Sequence, residues 1–328
     1  METLEEIQKL ANLCYGCKNK PCSNGCPLGN NIPEFIEAVK NGELENAYEI
    51  LCDTTVLPAI CGRICPHTKQ CQGSCIRGIK GEATPIGKIE AFVGDWAIQN
   101  GIEIQRRAML APTNDKKIAI IGGGPAGLTC AAFLTKKGFN ITIYERDNKL
   151  GGLLVHGIPD FRLDKKIVED TIAKILELGV HVVYNTALEK DISLNYIISN
   201  YNAVFLSFGA NVPSKMHIAG EDLDGVYGGN KLLESNNHPN YEGKKVAVIG
   251  GGNVAMDTAR TIKRLGAKEV TVIYRRAEKQ MPAEPKEVAD AKEENIKFLF
   301  QTNLVRIYGQ TNVEKIECIK TELKKIER

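Results

Sequence analysis

No run of consecutive apolar residues in this 328-residue sequence is long enough to span a membrane. The opening residues, METLEEIQKLANLC, lack the basic head and apolar core of a secretory signal. An excess of one charge is missing too. Forty-two Lys and Arg face 40 Asp and Glu, and a net +2 implies neither nucleic acid nor a membrane surface as partner. These absences predict a cytoplasmic protein. Cysteine is missing from Ala131 to Glu317, so no thiol pair serves the second half of the chain. What remains is ordinary: 43% hydrophobic and 25% charged residues, and a length that accommodates two or three domains with cores of their own.

Nine of the eleven cysteines crowd between Cys14 and Cys75. One group reads Cys14-x2-Cys17-x4-Cys22-x3-Cys26-Pro27, the other Cys65-x5-Cys71-x3-Cys75. In a reducing compartment such clustering favours metal ligation over disulfides. Structural zinc wants paired C-x2-C knuckles, and only Cys14 and Cys17 have that spacing. The first group is similar to ferredoxin runs, so two iron–sulfur clusters account for both groups together. Two cubanes need eight ligands and the groups supply seven. Cys61 or a carboxylate is the eighth on chemistry alone, whereas Cys52 sits in an apolar helical pattern as a small core residue. Helices are predicted over Glu34 to Val39, Leu44 to Leu51 and Pro85 to Gln99, with the second cysteine group as loop. In the last helix Ile86, Ile89, Val93 and Trp96 share one face. Glu90 lies beside it, where a helix carboxylate is ordinarily solvated. The tract from Arg106 to Lys117 reads as a linker.

From Lys117 to Glu145 the chain reads KIAIIGGGPAGLTCAAFLTKKGFNITIYE. An apolar strand leads into Gly122, Gly124 and Gly127 in G-x-G-x-x-G spacing, with Pro125 and Ala126 opening a helix that runs to about Lys137. A second strand, Ile141 to Tyr144, ends in Glu145, eighteen residues after the last glycine. The first glycine allows a tight turn, the second a close approach to a pyrophosphate, the third close packing of helix on strand. The helix N-terminus supplies amide donors, and the acid suits ribose hydroxyls. Further on, Arg146, the pair Gly151-Gly152 with Leu153, and Arg162 are candidates to lie along the same cofactor. His156 invites a proton-exchange role that flavin chemistry does not require. A helix is predicted over Asp164 to Leu178 with Gly179 as its cap, another over Asp191 to Ser199, and strands over Val180 to Tyr184 and Ala203 to Phe208.

The pattern then repeats. After the strand Lys244 to Ile249 comes Gly250-Gly251-Gly252-Asn253-Val254-Ala255, the G-x-G-x-x-A variant, and a helix from Val254 to Leu265. The next strand, Val270 to Tyr274, ends in Arg275-Arg276 where the first unit has Glu145. Arginine there suits a 2′-phosphate, which favours NADPH over NADH. Two dinucleotide folds imply a carrier and its reductant, with the cysteine-rich front end as the exit for electrons.

Together the motifs CYGC-x4-C-x3-CPLGNNIPEF, LPAICGRICP-x4-QC-x3-C, IGGGPAGL, GGLLVHGIPDFRLDK, VAVIGGGNVAMDTAR and VIYRRAEKQMPAE resemble the small-subunit family of NADPH-dependent glutamate synthase. The same module occurs in dihydropyrimidine dehydrogenase and in the flavoprotein subunit of ferredoxin:NADP transhydrogenase. The resemblance covers Cys14 to Glu284. It implies an α/β chain with a helical iron–sulfur domain over residues 1–112, an FAD domain over 113–242 and an NADPH domain over 243–328. It also implies two 4Fe-4S clusters, one on Cys14, Cys17, Cys22 and Cys75, the other on Cys26, Cys65, Cys71 and Glu90. The implied function is to pass electrons from NADPH through FAD and the clusters to a large catalytic subunit or a ferredoxin-like acceptor. His156 and Asp164 stand where the family leads one to expect tyrosine and proline. The family's last strand, flavin contact and closing helix have no counterpart before Arg328. A cluster-bearing binding module without turnover is the reading from a different class.

Overall fold

The computed structural model describes residues 2–104, 115–235 and 238–324. It divides into two compact units, one holding the chain up to Val155 together with Asp160–Gly209, the other holding His156–Pro159 and the chain from Ala210. Among the described residues no helix is long and apolar enough to cross a membrane.

The first unit begins with six helices: α1 (Leu4–Ala11), α2 (Pro21–Gly25), α3 (Ile32–Lys40), α4 (Leu44–Cys52), α5 (Pro58–Ile64) and α6 (Ile86–Gln99). Thr3 closes a capping box with Glu6 that starts α1. Prolines at the first turns of α2, α3 and α5 fit there because those amides need no helical partner. The apolar faces meet in a core containing Ile7, Phe35, Ile36, Leu51, Ile60 and Ile89. Helix α5 falls on a stretch, LPAICGRIC, for which the sequence offers no clear apolar period. It is made by its crossing with α6. A Cβ on Gly62 would come within 2.4 Å of the Ala91 amide nitrogen, and one on Gly94 within 2.3 Å of the Ala59 nitrogen, so the two backbones touch. The expected linker falls mostly on positions 105–114, outside the described residues.

The same unit continues as a parallel sheet. Its strands are β1 (Lys117–Ile121), β2 (Asn140–Tyr144), β3 (His181–Val183) and β4 (Ala203–Leu206), in the order β3-β2-β1-β4. They alternate with α7 (Pro125–Lys136), the short α8 (Leu153–His156), α9 (Lys165–Leu176) and α10 (Leu194–Asn200). Three expected boundaries in the sheet part shift by two residues or more. Helix α9 ends two residues early because Leu178 and Gly179 donate to Ile175 and Leu176 in tight turns, leaving Glu177 as the cap. Helix α10 starts at Leu194, capped by Ser193, because the Asp191 carboxylate is taken by the Ala187 amide at 2.9 Å. Strand β4 stops before Ser207, whose hydroxyl donates to the carbonyls of Ile121 and Gly122 at 3.0 and 2.9 Å.

Two buried lysines join the helical and sheet parts of this unit. Lys136 Nζ donates to the Cys52 carbonyl at 2.9 Å and Lys174 Nζ to the Ile102 carbonyl at 2.6 Å.

In the second unit α11 (Gly229–Glu234) precedes β5 (Lys245–Ile249), α12 (Asn253–Arg264), β6 (Glu269–Tyr274), α13 (Pro285–Glu293) and β7 (Lys297–Phe300). The strands β5-β6-β7 form a parallel sheet; β8 (Thr302–Tyr308) and β9 (Lys315–Lys320) form an antiparallel ribbon. Its core includes Met256, Ala259, Val270, Val272 and Ala291. Arg260, 6% exposed at its side chain, ties α12 to α13 through Glu287 at 2.7 Å, Glu294 at 3.1 Å and Asp290 at 3.3 Å.

Candidate cluster and nucleotide sites

Cys14 and Cys17 follow α1, Cys22 lies in α2 and Cys75 begins the turn of 3₁₀ helix at Ile76–Ile79. Although 58 positions separate Cys17 from Cys75, all four thiols line one cavity, walled by Pro33, Ile36 and Ile86 and edged by Arg77 and Thr84. Burial pushes the Cys22 thiol up to about 11, and the neighbouring Cys14 and Cys75 add to the rise. Burial opposes ionisation of Cys75 as well. There it is outweighed by hydrogen bonds from the Thr84, Arg77 and Gly78 amides and the Thr84 hydroxyl, which hold the thiol below its ordinary value.

Cys26, Cys61, Cys65 and Cys71 form a second group near Glu90 of α6. Cys26 caps α2 and Cys65 caps α5, while Cys71 is buried. Burial raises Cys71 to about 12, helped by the charges of Glu90 and Cys26 beside it. Glu90 is not the solvated carboxylate that a place beside an apolar helix face would ordinarily make it. It is 5% exposed, its Oε1 has no hydrogen-bond partner among the described residues, and burial followed by the Cys61 charge holds its carboxyl well above the usual range. The buried face of α6 includes Glu90, while Trp96 is half-buried. Cys61 belongs to this group too, with the neighbouring Cys65 and burial holding its thiol well above the ordinary value and Thr55 Oγ1 lying 3.6 Å from its sulfur. Cys52 is a core residue of α4.

All eleven cysteines are free thiols. Among the described residues no three Cys, His, Asp or Glu converge closely enough to hold a single ion. Soft sulfur donors set wider apart, in mutually repelling groups and with one buried carboxylate oxygen lacking a partner, fit a cationic iron–sulfur unit with several metal atoms better than a lone zinc.

In the first glycine turn Gly122 takes φ +102°, and a Cβ on Gly127 would lie 2.0 Å from the Gly122 carbonyl oxygen, so α7 rests on the turn itself. Gly124 caps α7, with Pro125 in the first turn and Ala126 after it. The chain beyond β2 returns to this place. Gly151 donates to the Gly123 carbonyl at 2.8 Å, and a Cβ on Gly152 would stand 3.0 Å from Gly124 Cα. Two backbones free of side chains thus face each other, a cradle that added Cβ atoms would fill. Glu145 is buried and accepts from the Gly123 amide at 2.7 Å and the Asp147 amide at 3.0 Å. Arg146 is exposed and pairs with Asp147, Leu153 is half-exposed at the start of α8, and Arg162 is half-buried before α9. Ser207, which clamps the turn from β4, is a residue that sequence reasoning missed; its only signal was a small side chain ending a strand.

The second turn matches the first in design. Gly250 has φ +140°, Gly252 caps α12 and Asn253 opens it. Ala255 takes the place in this turn that Gly127 has in the first, and a Cβ on Gly250 would meet the Ala255 side chain at 3.5 Å, an ordinary contact. Val254 is exposed on the first turn of α12. The segment before α13 folds back on this turn, also unforeseen: Ala283 donates to the Gly251 carbonyl and Glu284 to Asn253 Oδ1, both at 3.0 Å. Arg275 and Arg276 are exposed beyond β6, and neither guanidinium makes an ion pair or side-chain hydrogen bond among the described residues.

Residues 1–102 match the family profile described as dihydropyrimidine dehydrogenase domain II, 4Fe-4S cluster, and residues 116–327 that of the pyridine nucleotide-disulphide oxidoreductases. The chain is 36% identical to the glutamate synthase (NADPH) small chain of Escherichia coli K12, over 95% of this chain and 69% of that one. It is 37% identical to the NADPH-Fe(3+) oxidoreductase subunit beta of Geobacter sulfurreducens, over 92% of this chain and 46% of that one. Among solved structures, FprA of Mycobacterium tuberculosis in complex with NADPH shares the fold at a TM-score of 0.58, with 22% identity and 65% of each chain covered.

Proposed function

The chain belongs to the family of NADPH-dependent glutamate synthase small chains, and from that premise we propose that it is an NADPH-dependent flavin and iron–sulfur oxidoreductase serving a partner subunit. When bound, NADPH, FAD and two 4Fe-4S clusters supply the hydride and one-electron chemistry. The chain's residues bind and position these groups. Cys14, Cys17, Cys22 and Cys75 hold one cluster; Cys26, Cys65, Cys71 and Glu90 hold the other. The first-turn amides of α7 bind the FAD pyrophosphate over Gly124 and Gly152, with Arg146, Leu153 and Arg162 along the cofactor. Glu145 has room on its oxygens for ribose hydroxyls beside the two amides it already accepts. Gly252, Asn253, Val254 and Ala255 receive the NADPH pyrophosphate, and Arg275 and Arg276 take the 2′-phosphate. The domains run over 1–112, 113–242 and 243–328, in the reducing cytoplasm where thiols stay free.

The observation that carries this reading is the meeting of Cys14, Cys17 and Cys22 with the distant Cys75 in one cavity, in a chain with two complete glycine turns. The test is anaerobic reconstitution with iron, sulfide and FAD, followed by NADPH-dependent reduction of a viologen dye. Dye reduction is expected; none despite full iron and flavin content leaves only a binding module. Glutamine- and 2-oxoglutarate-dependent NADPH oxidation on adding a large glutamate synthase subunit identifies the partner. Reduction of ferric complexes without it points to the role borne by the Geobacter relative.

A further inference from the structure

The two arginines beyond β6 stand on a turn whose main chain is fastened from other strands of the same unit. Gln301, between β7 and β8, has a left-handed backbone (φ +49°), and its amide donates to the Arg276 carbonyl at 3.0 Å, one step past the Tyr274–Phe300 pair of the sheet. Thr321 follows β9 and is held to Gln301 twice. Its amide donates to the Gln301 carbonyl at 2.9 Å, and Gln301 Nε2 donates to the Thr321 carbonyl at 3.4 Å. So fixed, the Thr321 hydroxyl donates to the Arg275 carbonyl at 2.6 Å. At the far end of the turn the Tyr274 hydroxyl donates to the Gln280 carbonyl at 2.6 Å, and a Cβ on Gly251 would meet the Tyr274 ring at 2.6 Å. The arginine turn is thus tied at one end to the β8–β9 ribbon and at the other to the glycine turn.

We propose that Thr321 is a positioning residue for coenzyme choice: its hydroxyl sets the arginine turn for the 2′-phosphate of NADPH, and through it the β8–β9 ribbon takes part in the nucleotide site. The inference rests on the reading of Arg275 and Arg276 as the 2′-phosphate contacts. Holding the carbonyls of both arginines fixes two successive peptide planes. Arg276 lies between those planes, so the direction of its Cβ is set before any ligand arrives, and Arg275 shares the first plane. Pairing of guanidinium with phosphate oxygens is directional, and a turn ordered only by the ligand loses affinity to the entropy of that ordering. A nucleotide without the 2′-phosphate does not engage the arginines and gains nothing from their order.

The test is calorimetric titration of the full reconstituted chain with adenosine 2′,5′-bisphosphate and, separately, with adenosine 5′-monophosphate. Thr321→Val keeps the shape of the side chain and removes its hydroxyl. Its affinity for the bisphosphate should fall roughly three- to tenfold, the size of one hydrogen bond, while that for the monophosphate stays at the wild-type value. Thr321→Ser, which keeps the hydroxyl, should restore the bisphosphate affinity. Unchanged discrimination between the two nucleotides in Thr321→Val overturns the proposal. Equal weakening of both also overturns it, since that is the mark of general support for the domain, as does a Thr321→Ser protein that falls as far as Thr321→Val. Arg275→Ser with Arg276→Ser, run in parallel, separates the premise: loss of discrimination upholds the arginines as 2′-phosphate contacts, and full discrimination removes that reading and the proposal together.

Discussion

Replacing Gly124 by alanine adds one methyl group between two bare backbones, and its effect should fall on the cofactor rather than on the fold. Gly124 has φ −73° and ψ −175°, extended backbone that any residue adopts. The nearest atom to an added Cβ is Gly152 Cα at 3.9 Å, an ordinary contact. Losing the helix-capping preference of glycine costs about 1 kcal/mol or less, and the reduced freedom of the unfolded chain returns about 0.4–1 kcal/mol. Net stability should therefore stay within about 1 kcal/mol of wild type. The methyl occupies the approach of a pyrophosphate, so overpacking of about 1–3 kcal/mol falls on the bound state alone, weakening FAD roughly 5- to 150-fold. Gly127→Ala is the contrasting case. Its Cβ would sit 2.0 Å from a backbone carbonyl and 3.0 Å from Ser207 Oγ, so helix and turn must part and the folded chain itself loses about 1–3 kcal/mol or more. Thermal melts and FAD titration by fluorescence separate the two variants. A Gly124→Ala protein that binds FAD like wild type would place the pyrophosphate elsewhere and refute the reasoning; so would a Gly127→Ala protein of unchanged stability.

Arg275→Ser with Arg276→Ser should raise KM for NADPH roughly tenfold or more while leaving NADH unchanged, because the charge-assisted bonds reach only a 2′-phosphate; equal effects on both cofactors would sink that assignment. For Glu90, burial first and the Cys61 charge second hold the folded carboxyl well above the ordinary 4.5, so the folded state binds its proton more tightly than the unfolded chain. Its contribution to cluster-free protein is full below about pH 4.5 and is lost as pH rises toward the folded value, at up to about 1.4 kcal/mol per pH unit. Glu90→Gln should flatten that slope in denaturant titrations between about pH 5 and 7, where thiols are protonated in the unfolded chain; parallel slopes for the two proteins refute it. Lys136→Met and Lys174→Met keep the apolar stems but remove ammonium groups bonded to Cys52 and Ile102, and each should cost about 1–3 kcal/mol of stability. An unchanged denaturation midpoint in both would mean that these contacts do not hold the helical and sheet parts together.

Local signals were legible because they need only a few neighbours. The strand, glycine turn and helix at Gly122 to Lys136 follow from backbone sterics and apolar period within some twenty positions, and the same holds at Gly250 to Arg264. The cysteine spacing declared a metal centre for the same reason, since the three thiols from Cys14 to Cys22 are brought near one another by short loops and α2. The end of α9 and the start of α10 shifted by two or three residues, because Glu177 and Asp191 settle hydrogen bonds that propensity does not rank.

What the amino-acid order determined alone was therefore the donor chemistry: sulfur at the front, two phosphate-ready turns behind, an acid after one and two arginines after the other. What only the tertiary structure decided was which distant groups share a space. The resemblance had paired Cys75 with the first three cysteines, but their common cavity is a fact of packing. Periodicity left Glu90 at the margin of an apolar face. It is buried because Gly62 and Gly94 let α5 and α6 cross backbone to backbone, a close approach written in two glycines too far apart to be read as one signal. Ser207 on the first turn and the Ala283–Glu284 segment on the second arrive in the same way, through contacts whose partners lie 31 to 86 positions away, beyond the reach of any local pattern.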